Sequence, residues 1–189
     1  MTDCLIAGLG GQGTILASRL LGAAALSLGL EVRGSETIGM AQRGGSVVSH
    51  VRLGPGAESP LIAPGRAEVI LAFEPGEAVR ALPFLKPDGW MIVSDREIKS
   101  FGPSDSVAAW LGYLRANVPH LQVLDGRKIA QNFGPRCLNV AILGLAAACG
   151  TLPCSVADLQ KALEAKFEPR LAGLNKQALQ AGAEMAQGG

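Results

Sequence analysis

Three glycines near the start of the chain, Gly8, Gly10 and Gly13, have the spacing G-x-G-x-x-G within 8-GLGGQG-13, between one apolar run and another. Residues lacking Cβ at a strand-to-helix turn let backbone N–H groups at the helix start face an anion, so such a turn offers phosphate or pyrophosphate binding. Gly10, Gly11, Gln12, Gly13 and Thr14 are the candidate binding residues. A nicotinamide-dependent dehydrogenase standing alone would add an acidic residue about 20 positions on to hold the ribose, and Glu36 is the candidate. The same glycines also permit close helix–strand packing and a sharp turn with no ligand. The extra Gly11 and the amide of Gln12 are unusual for a dehydrogenase.

A second constellation is 39-GMAQRGG-45. Arg43 carries a charge that persists at any physiological pH and can grip carboxylate or phosphate through two parallel hydrogen bonds. A salt bridge within the chain or across a subunit interface is the competing use. Gly44 and Gly45 would let the backbone approach a neighbour closely. Ser35 and Glu36 stand before this loop and His50 after it. The histidine titrates where acid–base catalysts work, yet a lone histidine in a strand is commonly structural. Asn139, inside an apolar run, reads as satisfying a buried backbone group. Cys4, Cys137, Cys149 and Cys154 form no C-x-x-C pair. Clusters and structural zinc need closely spaced thiolates, so these read as buried, reduced cysteines and no metal site is expected.

The elements that must hold these residues follow from periodicity. Asp3 to Ala7 reads as a strand, Thr14 to Leu28 as a largely buried helix stopped by Gly29, and 31-EVRGSETI-38 as extended, a βαβ-like opening. In 46-SVVSHVRL-53, Val47, Ser49, Val51 and Leu53 share one face and Val48, His50 and Arg52 the other, so one face is expected to meet solvent or a partner. Residues 54–65, with three prolines and three glycines, make a surface connection. The runs 67-AEVILAF-73 and 89-GWMIVS-94 suit buried parallel strands, with a helix from Pro75 to Leu85 between them. Ser104 to Asn117 is helix-like, 121-LQVLD-125 a strand, 127-RKIAQNF-133 a short helix or turn, and Arg136 to Cys149 an apolar helix. Val156, Leu159, Leu163 and Phe167 form a helical stripe behind an N-cap at Ser155, and Pro169 interrupts before a last helix from Leu171 to about Met185. The fold class is α/β: one three-layer Rossmann-like domain over 1–189, a mostly parallel sheet, and a C-terminal helical segment over 155–187.

Composition narrows the function classes. Hydrophobic residues are 48% of the chain and charged ones 17%, so part of the surface is expected to be covered by another chain. A net charge of +1 with no basic run speaks against nucleic acid. Leu5 to Leu9 runs straight into glycines and fits neither a signal peptide nor a membrane span, so the chain reads as cytoplasmic.

Taken together, 8-GLGGQGTILASRLLGAAA-25 and 35-SETIGMAQRGGSVVSHVRLG-54 resemble the gamma-type domain of 2-oxoacid:ferredoxin oxidoreductases. The M-A-Q-R-G-G form resembles the indolepyruvate-type members in particular, and 138-LNVAILGLAA-147 resembles the family's Asn-containing helix. The resemblance spans nearly the whole chain. It implies a small, catalytically incomplete subunit of a multisubunit enzyme. Thiamine diphosphate, Mg and iron–sulfur clusters would be held by a large partner subunit, with coenzyme A as acyl acceptor and ferredoxin as electron acceptor. On that reading Arg43 would supply electrostatic support near the partner's thiamine site. The glycine loop would be a scaffold turn with an anion or coenzyme A phosphate contact at the interface. A non-enzymatic assembly domain remains an alternative, and contacts between copies of this chain are left open.

Overall fold

Strand β1 (Thr2–Leu9) is buried on both faces. Cys4 and Ile6 enter one core and Leu5 and Ala7 the other, as the two-residue period of a strand requires. The structure is a computed structural model that describes residues 1–38, 45–56, 58–96 and 107–187. The described residues form a six-stranded sheet in the order β2-β3-β1-β4-β5-β6. Its other strands are β2 (Val32–Ile38), β3 (Ser46–Leu53), β4 (Ala67–Ala72), β5 (Leu85–Ser94) and β6 (His120–Leu124). Strands β1, β4, β5 and β6 run parallel, while β3 is antiparallel to both neighbours. Helices cover both faces, giving the expected three-layer α/β architecture.

The opening differs from a simple βαβ unit. Strand β3 inserts between β1 and β2, pairing with β1 from Thr2↔Leu53 to Leu9↔Ser46. Alternation identifies a strand and its buried face, but it does not say which strand lies beside it. Within β3, Val47, Ser49, Val51 and Leu53 are buried as expected, yet His50 on the opposite face is buried too, at 7% exposure. Ile62 and Phe84 cover it, so that face is not left open at this point.

Helix α1 (Thr14–Ser27) ends where Gly29 stops it: Gly29 N–H donates to Leu26 O and Leu30 N–H to Ala25 O. The helix expected from Pro75 to Leu85 is shorter. Helix α2 (Pro75–Ala81) passes into a 3₁₀ turn at Leu82–Phe84, and β5 starts at Leu85 and not at Gly89. Pro83 lacks the N–H that would continue the helix. A 3₁₀ turn at Pro135–Cys137 likewise precedes α5 (Leu138–Ala148). Helices α3 (Val107–Asn117) and α4 (Gly126–Phe133) match their segments, although residues 104–106 lie outside the described residues.

At the C-terminus, α6 (Val156–Lys166) has the full capping box. Asp158 N–H donates to Ser155 Oγ, and Ser155 N–H donates back to the Asp158 carboxylate. Pro169 proves to be the first residue of α7 (Pro169–Glu184), where a missing N–H costs nothing. Helices α1, α5, α6 and α7 bury residues in one core, and α2 and α3 in the other. The α5–α7 contact is close. A Cβ on Gly144 would fall on Leu179 O, and one on Gly182 would fall on Ala141 O.

Candidate functional site at the carboxyl edge of the sheet

Neighbouring parallel strands β1 and β4 send their following helices to opposite faces of the sheet. In open α/β sheets the crevice at such a divergence, beyond the carboxyl ends of the strands, is where ligands bind. Here it is lined by the turn after β1, by Gly45 and Ser46 entering β3, and by the start of α2. The N-terminus of α5 stands behind the turn.

The glycine turn is shaped by its own backbone. Gln12 N–H donates to Leu9 O at 3.1 Å, and Gln12 Oε1 accepts Leu9 N–H at 2.6 Å, folding the side chain back under Gly8. A Cβ on Gly8 would lie 2.7 Å from that Oε1. Gly11 and Gly13 have φ of 95° and 86°, left-handed backbone that side chains disfavour. Gly13 is the N-cap of α1, so no side chain caps the first-turn N–H groups. The turn borders a cleft of about 490 Å³ lined by Gly10, Gly11, Gly13 and Thr14, by the apolar Ile15, Leu16 and Val47, and by Arg19 and Lys166. That arrangement suits an anion by helix dipole and by side-chain charge.

Asn139 closes the turn from behind. Its Nδ2 donates to Gly13 O at 3.3 Å, and a Cβ on Gly13 would collide with that amide. The backbone role assigned to Asn139 therefore has a named acceptor. Gln12 Nε2 and Asn139 Oδ1 are both buried without a hydrogen-bond partner among the described residues. Buried polar groups are seldom left so; Gln12 precedes Gly13 in the chain, and Asn139 contacts Gly13 across the turn.

The two glycine motifs touch. Gly10 N–H donates to Gly45 O at 2.9 Å. Ser46, next along, donates its hydroxyl to Glu77 Oε2 at 2.5 Å, and Arg80 donates to Glu77 Oε1 at 2.5 Å. Glu77 is 1% exposed, and sequence reasoning passed over it. The available signal was an acidic residue in the first turn of a helix opened by Pro75, right after a buried strand. Arg43 and Gly44 lie outside the described residues.

Other candidates fall elsewhere. With β3 interposed, Glu36 stands two strand spacings from β1, about 10 Å, and its Oε1 accepts a 3.4 Å hydrogen bond from Ser18 Oγ. A ribose ligand belongs beside the glycine turn, so this placement does not support the dehydrogenase reading. His50 Nδ1 accepts Ile62 N–H at 3.1 Å and its ring meets Phe84 edge-on, a structural setting in which burial lowers its pKa.

The sequence matches the family described as pyruvate ferredoxin/flavodoxin oxidoreductase over residues 3–185. The chain belongs to this family. It is 33% identical to an indolepyruvate oxidoreductase subunit IorB of Archaeoglobus fulgidus, over 99% of this chain and 96% of that one. Its fold matches the gamma subunit of a keto/oxoacid ferredoxin oxidoreductase from Geobacter sulfurreducens at a TM-score of 0.75 and 22% identity, over 100% of both chains. It also matches a 2-oxoglutarate:ferredoxin oxidoreductase from Magnetococcus marinus, solved with 2-oxoglutarate, coenzyme A and succinyl-CoA bound, at a TM-score of 0.74 and 21% identity. This second match covers 99% of this chain and 31% of that one, so the fold recurs as part of a larger chain.

Pyruvate ferredoxin/flavodoxin oxidoreductases use redox cofactors, and the thiols of this member do not fit a cluster. Cys4, Cys137 and Cys154 are buried, and desolvation raises the pKa of all four cysteines, that of Cys154 to about 11. Among the described residues no three His, Cys, Asp or Glu side chains are grouped to hold a metal ion.

Proposed function

We propose that this chain is the small subunit of a 2-oxoacid:ferredoxin oxidoreductase acting on indolepyruvate or a related arylpyruvate, and that by itself it is inactive. The observation that carries the proposal is the near full-length relation to an indolepyruvate oxidoreductase subunit. In the assembled enzyme, thiamine diphosphate with Mg in a large partner subunit supplies decarboxylation of the 2-oxoacid, and iron–sulfur clusters there pass electrons to ferredoxin. This chain's contribution is the carboxyl-edge crevice. The uncapped amides of α1, with Arg19 and Lys166 flanking the cleft, would hold a phosphate of coenzyme A at the subunit interface. Gly10 to Thr14 and Gly45 shape that crevice, and Gly44 and Arg43 belong to the same motif. Arg43 provides a fixed positive charge toward the partner's site. Among the described residues no helix is long and apolar enough to cross a membrane. The complex is proposed to work in the cytoplasm.

The test is to isolate the chain with whatever binds it in its native source, identify the partner, and assay the complex with indolepyruvate, coenzyme A and ferredoxin. A large partner with cluster-spaced cysteines and coenzyme A-dependent turnover are expected. A chain that purifies without such a partner would overturn the proposal. Within an active complex, Arg43→Ala should lower turnover by about 10-fold or more, the loss typical of one well-placed charge; unaltered turnover in an intact assembly would remove Arg43 from the mechanism.

A further inference from the structure

The contact between the two glycine motifs is secured by a residue that belongs to neither. Glu77 is buried at 1% exposure on α2, at the carboxyl edge of the sheet. Its Oε2 takes the Ser46 hydroxyl at 2.5 Å. Ser46 is the register partner of Leu9, and the Gly45 carbonyl just before it takes Gly10 N–H at 2.9 Å. The Gly45–Ser46 junction is thus held from two sides, by the turn after β1 and by the helix after β4.

Holding a strand end does not need a buried charge. The packing of α2 on its core is supplied by Ala78 and Ala81. A carboxylate at that depth is costly unless its oxygens are satisfied. Arg80 satisfies one of them, but its own side chain is 70% exposed, so that ion pair is largely screened. The Ser46 hydroxyl is the partner from inside. The charge stands at the switch point of the sheet, against the first residue after 39-GMAQRGG-45, where a fixed backbone position matters most.

We infer that Glu77 is a positioning residue. Through Ser46 it sets Gly45 against Gly10 and so fixes the shape of the crevice presented to the partner subunit. The kinetic half of this inference rests on the function proposed above; the clamp itself does not.

Four variants of this chain, each purified with its large partner subunit, separate the two: Ser46→Ala, Ser46→Thr, Glu77→Ala and Glu77→Gln. Hydrogen exchange at the Gly10 amide, which donates to Gly45 O, reads the clamp directly. Steady-state turnover with saturating 2-oxoacid, and KM for coenzyme A, read its use. Ser46→Ala and Glu77→Ala should speed exchange by about tenfold or more, with kcat/KM for coenzyme A falling by about tenfold as crevice geometry loosens. Ser46→Thr keeps the hydroxyl and should recover most of the Ser46→Ala loss in both readouts, and Glu77→Gln should fall between wild type and Glu77→Ala. Should Glu77→Ala fail to fold, the Ser46 pair alone decides. Unchanged exchange in Ser46→Ala would overturn the clamp. Faster exchange with wild-type kcat and KM would overturn the positioning role. A wild-type complex without 2-oxoacid turnover would sink the proposed function and the kinetic half with it, while the exchange comparison would still uphold or overturn the clamp.

Discussion

The α5–α7 contact and the turn from β1 into α1 both depend on glycine, for different physical reasons. Between the helices, Gly144 leaves room for the Leu179 carbonyl and Gly182 for the Ala141 carbonyl, so what matters is the missing volume. At the turn, Gly11 and Gly13 have φ of 95° and 86°, so what matters is the conformation. Among the described residues no unpartnered side-chain polar atom lies at the Gly144 and Gly182 contacts. The turn holds Gln12 Nε2 and Asn139 Oδ1 buried and unpartnered among the described residues. Close packing without polar complication is what a stability element looks like. Conformational demand combined with unmet hydrogen bonds belongs where evolution has accepted a cost, as at ligand and partner sites.

Gly182→Ala is the largest way to break the comparison. Its methyl meets Ala141 O in a packed helix pair, so the helices must part. We expect a loss of about 3 kcal/mol, at the upper end for overpacking, and a drop in Tm of roughly 6–12 °C for a chain of this size. Calorimetry checks it, and a Tm within 2 °C of wild type would mean that the two helices are not closely engaged.

Within the turn, Gly13→Ala and Gly11→Ala sharpen the distinction. Both place a methyl on left-handed backbone, but Gly11 has nothing within 4 Å of the new methyl whereas Gly13 meets Asn139. Gly11→Ala should cost about 1 kcal/mol. Gly13→Ala should cost about 2–3 kcal/mol because collision is added to conformation. Asn139→Ala should return about 1 kcal/mol of the Gly13→Ala loss in the double variant, a coupling that denaturant titration of the cycle measures. Strict additivity would show that Asn139 does not crowd Gly13.

The smallest effect concerns a buried polar group that does have a partner. Burial lowers the pKa of His50, and its Nδ1 accepts a backbone N–H that an imidazolium could not serve. The folded state therefore binds fewer protons than the unfolded one below the ordinary histidine value. The stability due to neutral His50 is complete above about pH 6.5 and declines as pH falls through the depressed folded value. His50→Gln should flatten this slope, read as Tm against pH between neutral and mildly acid buffer. An unchanged slope would assign the dependence to other groups.

Much of this molecule was legible in its sequence because local rules act through near neighbours. The apolar runs at 67–73 and 89–94, the stop at Gly29, the N-cap at Ser155 and the strand–turn–helix spacing of 8-GLGGQG-13 all follow from residues a few positions apart. The pair of glycine motifs also marked the family. Helix ends at Ala81 and the 3₁₀ turn at Pro135–Cys137 were harder, since each depends on a proline acting within one turn of an otherwise helical run.

The amino-acid sequence by itself determined the α/β class, the layers, the apolar runs that became buried strands and the family. Tertiary structure alone decided that β3 stands between β1 and β2, moving Glu36 away from the glycine turn, that Gly10 meets Gly45, and that Glu77 reaches Ser46. Propensity, period and capping are set by neighbours along the chain. Strand order and a hydrogen bond across 31 positions depend on which surfaces bury one another, and no local pattern encodes that choice.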